Sequence, residues 1–357
     1  LFLLCGIEKG RQMSLIYDLD LTDLEEYLVS IGLKPFRAKQ IFKWLYEKRV
    51  TSFDCMSDIS KDLKAKLNED FIFHEFKIRN KQESKDGTVK FLFELEDGAL
   101  IESVLMVFEY GYSACLSSQV GCNMGCSFCA SGLLKKQRDL SPGEIVLQAL
   151  TIQKFLDDKS ARLDNLVIMG TGEPFDNYDN LLKALAILNS PYGLQIGARH
   201  ISVSTCGLAP KIEKFADEKL QYNLAISLHA ANDELRNKLM PINKAYNLER
   251  LMDAINYYES KSNRRITFEY LLIAGVNDGT RDADDLQKLL RGRNAYINLI
   301  PYNEVKENEY KSTSPKDTLR FYDLLKKRGL SVTLRQKRGT DIDAACGQLR
   351  AKEMLGD

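Results

Sequence analysis

The sequence lacks an excess of charge of either sign. Lysine and arginine together number 50, and so do aspartate and glutamate, which gives a formal net charge of zero. A general electrostatic attraction to nucleic acid is therefore absent, and any contact with a polyanion must come from local basic clusters. The chain also lacks a long apolar run: residues 1–5 are apolar, but this run is too short for a membrane span or a secretory signal, and Glu8 follows it.

Cysteine is scarce, with eight residues in 357, too few for a disulfide scaffold in a chain of this length. Three of them, Cys122, Cys126 and Cys129, follow one another at intervals of four and three residues. Three thiolates can hold three corners of a 4Fe-4S cluster and leave the fourth iron open to a small molecule. Structural zinc is the alternative, but it needs four ligands, and neither Cys nor His occurs between Cys129 and His200. We therefore predict a 4Fe-4S cluster and, with it, a reducing, cytoplasmic compartment.

Apolar periodicity divides the chain into three parts. Recurrence at intervals of three and four residues predicts helices between residues 21 and 71, and β-rich runs separated by DG turns follow over 75–112. Beyond these runs, short apolar strands alternate with helical stretches. The predicted strands are 114–120, 165–169, 199–204, 222–227, 266–272 and 296–299. Six β/α units in series predict an α/β fold with a partial (β/α)6 TIM-like barrel, and sites in such barrels lie at the carboxyl ends of the strands.

Polar residues follow several predicted strands at the point where each strand ends. The sequence MGTGEP places Gly172 and Glu173 after the second strand, where backbone groups and a carboxylate can bind a ligand. Later strand ends carry Ser204 in STCG, Ser227, Leu228 and His229 in SLHA, and Asn303 in LIPYN. Each residue alone is a weak indication, and a histidine at a strand end is more often structural than catalytic. Their common position predicts one binding site, with His229 as part of its wall.

From about residue 114 onward the chain resembles the radical S-adenosylmethionine (SAM) superfamily. The resemblance rests on the Cys-x-x-x-Cys-x-x-Cys spacing after the first barrel strand and on the Gly-Glu-Pro loop one β/α unit later. It implies that Cys122, Cys126 and Cys129 hold the cluster, that the open iron chelates SAM, and that a reduced cluster splits SAM to give a 5′-deoxyadenosyl radical. The SAM contacts that it implies are Gly172, Glu173, Ser204, Ser227, Leu228, His229 and Asn303.

Further segments narrow the resemblance to one family of that superfamily. RGTDIDAACGQL contains Cys346, SACLSSQVGC contains Cys115, and PINKAYNLE and GVNDGT lie between them. With these segments, nearly the whole chain resembles the RlmN/Cfr family of RNA methyltransferases. The resemblance implies methylation of carbon 2 of an adenine in 23S rRNA and of the adenine beside the anticodon in tRNAs. It also implies an electron donor such as flavodoxin or ferredoxin, and we expect a monomer without a membrane partner.

The same resemblance assigns three catalytic residues. One SAM would methylate Cys346 and a second would give the radical that activates the methyl group, so that each turnover consumes two SAM. Glu102 would accept the carbon-2 proton, and Cys115 would release methylated RNA by forming a transient disulfide with Cys346. From the residues alone, Glu102 would be a solvent-facing strand residue and Cys346 a buried, inert thiol.

The expected organisation has five parts. They are an extension over 1–12 before Met13, an N-terminal helical RNA-binding accessory domain over 13–74, a β-hairpin linker over 75–112, the radical SAM barrel over 113–335, and a C-terminal catalytic loop and tail over 336–357. The helix after Pro35 is basic, which fits either a solvated face or a surface for RNA. Other candidate phosphate contacts are Lys135, Lys136, Arg138, Arg264, Arg265, Arg335, Lys337 and Arg338.

Two alternative functions remain open. The first is the carbon-8 adenine methyltransferase branch of the same family, which confers antibiotic resistance; Pro174 and the Arg338-Gly339 pair favour carbon 2 instead. The second is a non-catalytic RNA-binding protein stabilised by zinc. That alternative predicts a colourless protein and leaves Cys346 and the Gly-Glu-Pro loop without a role.

Overall fold

The computed structural model describes most of the chain. The described residues are 13–132, 135–305, 308–336, 338–339, 341–343, 347, 349–350 and 353. The predicted extension over 1–12, the candidate phosphate contact Lys337 and the predicted catalytic residue Cys346 lie outside these ranges.

Three helices follow the short strand β1 (Ser14–Leu15). They are α1 (Leu21–Ser30), α2 (Arg37–Phe42, continued by a π-helical turn over Lys43–Glu47) and α3 (Lys61–Asp70). The Asp20 side chain accepts a hydrogen bond from the Asp23 backbone N–H, and the Asp23 side chain accepts one from the Asp20 backbone N–H, so that α1 begins in a capping box. The helical periodicity over 21–71 therefore corresponds to observed helices, and β2 (Phe71–Ile72) ends the segment by pairing with β1.

These helices pack against the rest of the molecule. Their buried apolar side chains, including Leu24 and Phe42, belong to the same continuous core as those of the later sheet. The Arg49 guanidinium forms an ion pair with Asp157 at 2.6 Å, and the backbone N–H of Gly143 donates to Asp18 at 2.8 Å. One basic residue just after the second helix is thus engaged in an intramolecular contact.

The β-rich segment forms an antiparallel meander. Its strands are β3 (Lys77–Glu83), β4 (Val89–Glu94), β5 (Leu100–Phe108) and β6 (Gly111–Cys115). β6 also pairs in parallel with the strand Leu163–Ile168, so the meander continues the parallel strands edge to edge in one sheet, which has ten strands among the described residues.

The predicted series of β/α units is confirmed as an α/β fold with a mixed sheet. After the short pair β7 (Gln119–Val120) and β8 (Arg138–Asp139), the strands are β9 (Leu163–Ile168), β10 (Ile201–Thr205), β11 (Asn223–Ser227), β12 (Ile266–Leu272), β13 (Ala295–Pro301) and β14 (Val332–Leu334). The helices are α4 (Pro142–Asp157), α5 (Tyr178–Asn189), α6 (Ala209–Asp217), α7 (Asp233–Leu239), α8 (Leu248–Lys261), α9 (Thr280–Leu290) and α10 (Pro315–Lys327).

Two details differ from the predicted strands. The first barrel strand ends at Cys115 instead of continuing to Val120, because the next backbone groups leave the ladder: the N–H of Ser118 donates to Thr171 in the loop after β9. A seventh parallel strand, β14, lies beyond the six predicted β/α units, within the β-like run SVTLRQK, and pairs with β13. Within the described residues, no helix is long and apolar enough to cross a membrane.

Candidate active site

The three cysteines line one cavity at the carboxyl ends of the parallel strands. Cys122, Cys126 and Cys129 are half-buried and face a space of about 240 Å³. The backbone N–H of Cys129 donates to the carbonyl of Cys126 at 3.2 Å, which folds the segment into a turn. The short loop after β7 thus brings the three thiols to a common space.

The electrostatics of this loop favour a bound metal centre. Burial, reinforced by the other cysteines, raises the pKa of the Cys126 thiol, and burial raises the pKa of Cys122 to about 11. Three thiolates in this space would repel one another, and iron would offset that repulsion. No three Cys, His, Asp or Glu side chains among the described residues converge on one metal ion. A 4Fe-4S cluster does not require that convergence, because each thiolate binds a different iron, and the three residues fit it.

The residues expected to bind SAM divide between two adjoining cavities. Gly172, Glu173, Ser204, Ser227 and His229 line the cavity of the cysteines. Leu228 is fully buried beside them, whereas Asn303 is exposed and lines a neighbouring cavity. The polar strand ends therefore meet as their common position indicated, with Asn303 at the outer side.

Gly172 is required by close packing. Its φ is +111°, and a Cβ atom there would lie 2.7 Å from the Ser118 Oγ and from the Gln119 Cβ. The Gln119 side-chain oxygen also accepts a hydrogen bond from the Glu173 N–H at 2.9 Å. The Gly-Glu-Pro loop is thereby held against the segment that leads to the cysteines, and a larger residue at Gly172 would be both strained and obstructed.

The Glu173 carboxylate is buried and fixed by backbone donors. One oxygen accepts from the Phe175 N–H at 3.0 Å, and the other accepts from the Cys206 N–H at 2.8 Å. Burial raises the pKa of this carboxyl despite these bonds. Each carboxylate oxygen can accept a further bond, so an ammonium group in the cavity would meet an oriented acceptor.

His229 is a neutral hydrogen-bond donor. The Leu271 N–H donates to its Nδ1 at 3.0 Å, so the proton of the neutral ring lies on Nε2. Burial, followed by the nearby Arg236 charge, lowers the His229 pKa to about 3. Its φ of +57° and the edge contact of its ring with Phe128, 4.9 Å between centroids, fix its orientation in the cavity wall.

Glu102 connects the sheet to the C-terminal segment. Its carboxylate is almost fully buried, and it accepts from the backbone N–H groups of Gly347 and Arg350, each at 2.6 Å. The fully buried Lys90 forms an ion pair with it at 2.7 Å. The side chain is therefore not solvent-facing, which corrects the interpretation from strand pattern alone. It lies beside the residues that follow Cys346.

The β3–β4 hairpin holds the same segment at further points. The Asp86 carboxylate accepts from the Gly339 N–H at 2.9 Å, and the Gln82 side-chain oxygen accepts from the Asp343 N–H at 2.9 Å. The Ser84 hydroxyl donates to Asp341. The hairpin and Glu102 thus hold Gly339, Asp341, Asp343, Gly347 and Arg350, which we call the clamped segment.

Gly347 brings this segment against the loop of the three cysteines, residues 121–132, which we call the cysteine loop. Its φ is +81°, and a Cβ there would lie 2.9 Å from the backbone nitrogen of Ser131, which follows Cys129 by two residues. Cys115, at the end of β6, is buried and packs with Val104 and Met106. Each predicted catalytic residue that the structure describes thus lies near the cavity or the clamped segment.

The neighbouring cavity, about 260 Å³, continues the first one outward. The two share Phe128, Cys129, Ile300 and Arg335. Its remaining wall includes Met106, Asn303 and Arg338. Polar, apolar and cationic groups thus surround an open space that leads to the cysteines.

Comparison with known proteins agrees with this geometry. Residues 15–72 match the ribosomal RNA large subunit methyltransferase N-terminal domain, and residues 116–290 match the radical SAM superfamily. A probable dual-specificity RNA methyltransferase RlmN of Staphylococcus saprophyticus is 54% identical over 348 residues, covering 98% of this chain and 94% of that protein. The chain belongs to the RlmN family.

Other RlmN-family comparisons agree. A probable dual-specificity RNA methyltransferase RlmN of Streptococcus thermophilus is 55% identical over 347 residues, covering 96% of this chain and 89% of that protein. The crystal structure of a radical SAM methyltransferase from Sphaerobacter thermophilus superposes with a TM-score of 0.90 at 41% identity, covering 94% of this chain and 98% of that one. The chain is therefore a radical SAM enzyme, a class that uses a 4Fe-4S cluster and SAM.

Sequence reasoning missed two buried polar residues of this RlmN-family site. Arg236 on α7 is fully buried and donates to the Cys206 carbonyl at 2.7 Å and to Asn243 Oδ1 at 2.8 Å. Glu269 on β12 is 5% exposed, lines the cysteine cavity and accepts from the Asn298 side chain at 2.8 Å. A lone acid within the apolar strand ITFEYLL is a visible signal for Glu269. The residues around Arg236 in the sequence, in contrast, do not indicate that its side chain is buried.

The candidate phosphate contacts have different positions in the RlmN-family fold. Lys136 is paired with Asp176 and Arg138 with Glu144, each within 2.8 Å. Arg264 and Arg265 directly precede β12. They therefore lie at the amino ends of the parallel strands, opposite the cavity. The two that line the outer cavity are Arg335 and Arg338.

Proposed function

We propose that this enzyme methylates carbon 2 of a specific adenine in 23S rRNA and of the adenine beside the anticodon in tRNAs. The observation that carries the proposal is the clamped C-terminal segment, whose residue Gly347 contacts the cysteine loop while Glu102 accepts its backbone N–H. The relatives are named as probable dual-specificity RNA methyltransferases. RNA substrates agree with a cytoplasmic location.

The reaction needs radical chemistry because carbon 2 of adenine lies between two ring nitrogens and is too electron-poor to attack a methyl sulfonium. The cluster, held by Cys122, Cys126 and Cys129, would with SAM supply a 5′-deoxyadenosyl radical. The lining residues Glu173 and His229 offer SAM a fixed carboxylate acceptor and an Nε2–H donor. The enzyme's own part is to orient SAM and to exclude water from the cavity.

Cys346 carries the methyl group in this proposal. One SAM would methylate its thiol, and hydrogen abstraction from that methyl group would leave a methylene radical that adds to carbon 2. The adduct radical would have to lose one electron, to the oxidised cluster, and the carbon-2 proton, which Glu102 would accept. The Cys115 thiolate would then attack the Cys346 sulfur, breaking the bond from sulfur to the methylene carbon and forming a disulfide, while the methylene carbon takes up a proton and becomes the methyl group. An external reductant, with flavodoxin or ferredoxin as the electron donor to the cluster, would restore the thiols.

Glu102 has two proposed roles. Its contacts with Gly347 and Arg350 hold the C-terminal segment, and the family resemblance makes the same carboxylate the acceptor of the carbon-2 proton. The buried Lys90 ammonium, 2.7 Å away, would compensate the carboxylate charge while the site is closed. Proton transfer requires that an oxygen of Glu102 exchange a backbone donor for the base.

Nucleoside mass spectrometry tests the function directly. The reconstituted protein would be incubated anaerobically with reductant, methyl-labelled SAM, and either 23S rRNA or tRNA. Labelled 2-methyladenosine in both RNAs is the expected result, and one labelled RNA alone would limit the proposal to that substrate. Labelled 8-methyladenosine would assign the chain to the carbon-8 branch instead.

Matched variants make the result specific. Cys346→Ala removes the proposed methyl carrier and should abolish labelling, whereas Cys55→Ala changes an exposed thiol of the N-terminal region and should not. An intact, brown, cluster-containing protein that methylates neither RNA would contradict the proposed function. A colourless protein that binds zinc would favour the non-catalytic alternative.

A further inference from the structure

The turn between β5 and β6 presents an exposed aromatic ring. Tyr110 is 70% exposed, the largest exposed fraction among the large hydrophobic side chains that the structure describes. Single exposed aromatic side chains are common on protein surfaces, so exposure alone does not indicate a partner. The surroundings of Tyr110 give the stronger indication.

The ring of Tyr110 is part of an ordered stack. It lies parallel to the Phe108 ring, with an interplanar angle of 6° and 4.8 Å between centroids. The Arg338 guanidinium lies 5.2 Å from the Phe108 centroid. We call Phe108, Tyr110 and Arg338 the aromatic platform; its rings are oriented before any partner arrives.

The aromatic platform adjoins the active site. Phe108 packs against the small cluster of Val104, Met106 and Cys115, and Cys115 is the proposed resolving thiol. Arg338 and Met106 line the outer cavity, which shares Cys129 with the cysteine cavity. A ligand chain that enters the outer cavity would pass the platform.

The chemistry of the aromatic platform selects a nucleic acid as partner. Nucleobases stack on aromatic side chains through a face that every base has, and arginines next to the rings pair with the phosphates. Arg335 and Arg338 are both near Tyr110 and supply cationic groups beside the rings. The acids nearby are the exposed Glu109 and the half-buried Asp164, whose carboxylate already accepts a hydrogen bond from the Tyr112 N–H at 2.8 Å.

We propose that Tyr110 stacks with an unpaired nucleobase next to the target adenine of the substrate RNA. This inference rests on the proposed function, because it takes RNA as the substrate. An adenine that enters the cavity leaves its own stack, and its neighbour loses a stacking partner. The ring of Tyr110 replaces that partner and holds the extruded conformation.

Binding measurements with paired protein and RNA changes test the inference. The holoenzyme would be titrated with fluorescent tRNA assembled from synthetic pieces. Three forms are compared: unmodified tRNA, and two abasic tRNAs that lack the base on one or the other side of the target adenine. Stacking is expected to contribute about tenfold to affinity, about 1.4 kcal/mol. Tyr110→Ala should lose that factor, and Tyr110→Phe should keep it because the ring remains.

The decisive measurement is whether Tyr110→Ala and the abasic nucleotide affect the binding affinity independently or through the same contact. One of the two abasic RNAs should bind the wild-type enzyme about tenfold more weakly and should bind Tyr110→Ala with no further loss. Tyr110→Ala should also leave the salt dependence of binding unchanged, since tyrosine neutralises no phosphate. The control Tyr257→Ala removes another exposed tyrosine, whose hydroxyl donates to Asp217 on the far side of the barrel, and should bind as wild type does.

Each outcome bears on the inference separately from methylation. Equal affinity of wild type and Tyr110→Ala, additive losses with both abasic RNAs, or no binding of tRNA by the wild type would overturn it. If the enzyme binds tRNA through Tyr110 but transfers no methyl group, the inference stands and the proposed function fails. If methylation occurs without a Tyr110 effect on binding, the proposed function stands and the inference fails.

Discussion

Both ends of the parallel strands carry polar residues, but these residues differ in burial and in their partners. At the carboxyl ends, Glu173, His229 and Arg236 are buried and bonded to backbone groups. At the amino ends lies a basic hollow of about 540 Å³, whose basic residues are all exposed or half-buried: Arg199, Lys219, Lys261, Arg264 and Arg265. We call the first region the carboxyl-end site and the second the amino-end hollow.

This difference in burial determines how strongly a charged side chain affects stability at each end. A group removed from water must be compensated by fixed partners, so its replacement changes stability, the pKa values of its neighbours and chemistry together. An exposed cation keeps most of its hydration, and its replacement changes little. Substitutions at the two ends should therefore differ in effect even when the residue type is the same.

The largest effect is expected at the cluster. Cys126→Ser should remove one thiolate ligand, abolish the visible absorbance of the cluster and reduce methylation below detection. The measurement is iron and sulfide content together with the methylation rate. Cys55→Ser, at an exposed thiol, is the control; equal cluster loss in both variants would contradict the assignment of the cysteine loop.

Arginine replacements compare the two ends directly. Arg236→Met should lower the free energy of unfolding by about 3 kcal/mol or more, because the carbonyls of Cys206 and Leu228 lose their buried donor. Arg265→Met, at an exposed guanidinium of the amino-end hollow, should cost less than about 1 kcal/mol. Denaturant unfolding measures both, and similar losses would remove the distinction between the ends.

His229 gives the carboxyl-end site a pH dependence. Its pKa is about 3 in the folded chain and about 6.5 when unfolded, so the unfolded chain binds the extra proton between these values. Stability should therefore fall as pH falls below 6.5, by about 2 kcal/mol from this group between pH 7 and pH 5. Metal-free protein should show this loss in denaturant titrations, and His229→Gln should lack that part of it. Identical pH profiles would refute the assignment.

Gly347 controls the contact of the clamped segment with the cysteine loop. Gly347→Ala would add a Cβ 2.9 Å from the Ser131 nitrogen at a φ of +81°, so the segment must shift. We expect methylation to fall about tenfold or more. Cluster content should stay at the wild-type value. Gly98→Ala, at a positive φ with open space around it, controls for backbone strain alone.

The smallest effect is expected at the amino-end hollow. Replacing both Arg264 and Arg265 by Ala should weaken RNA binding by less than about threefold at moderate salt, because these residues lie at the opposite end from the cavity. Titration with tRNA measures the affinity. A loss above tenfold would mean that the RNA reaches around the barrel to this end.

The fold and the cavity residues could be predicted because their signals are local. The cysteine spacing, the Gly-Glu-Pro loop and the strand ends each occupy a few consecutive residues, and parallel strands bring their carboxyl ends together. Arg236 was missed because its acceptors, Cys206 and Leu228, become neighbours only after folding. Lys90 is equally unmarked in its strand, although its ion pair with Glu102 is fully buried.

Glu102 illustrates the same limit. Its strand LIESVLMVF indicates an outward acid, yet both carboxylate oxygens accept from backbone groups 245 and 248 residues later in the chain. No short window of sequence contains that pairing. The family resemblance named the residue, whereas only the three-dimensional contacts show what its side chain binds.

The long separation in sequence between Glu102 and its partners also affects how the enzyme folds during synthesis on the ribosome. Lys90 and Glu102 emerge together and can pair early, but Gly347 and Arg350 leave the exit tunnel only after almost all of the sheet has been made. Such distant contacts form late, since a long loop must close first. A nascent chain would therefore fold its barrel before its clamp closes, and the site would be completed only after the last strand of the sheet has been made.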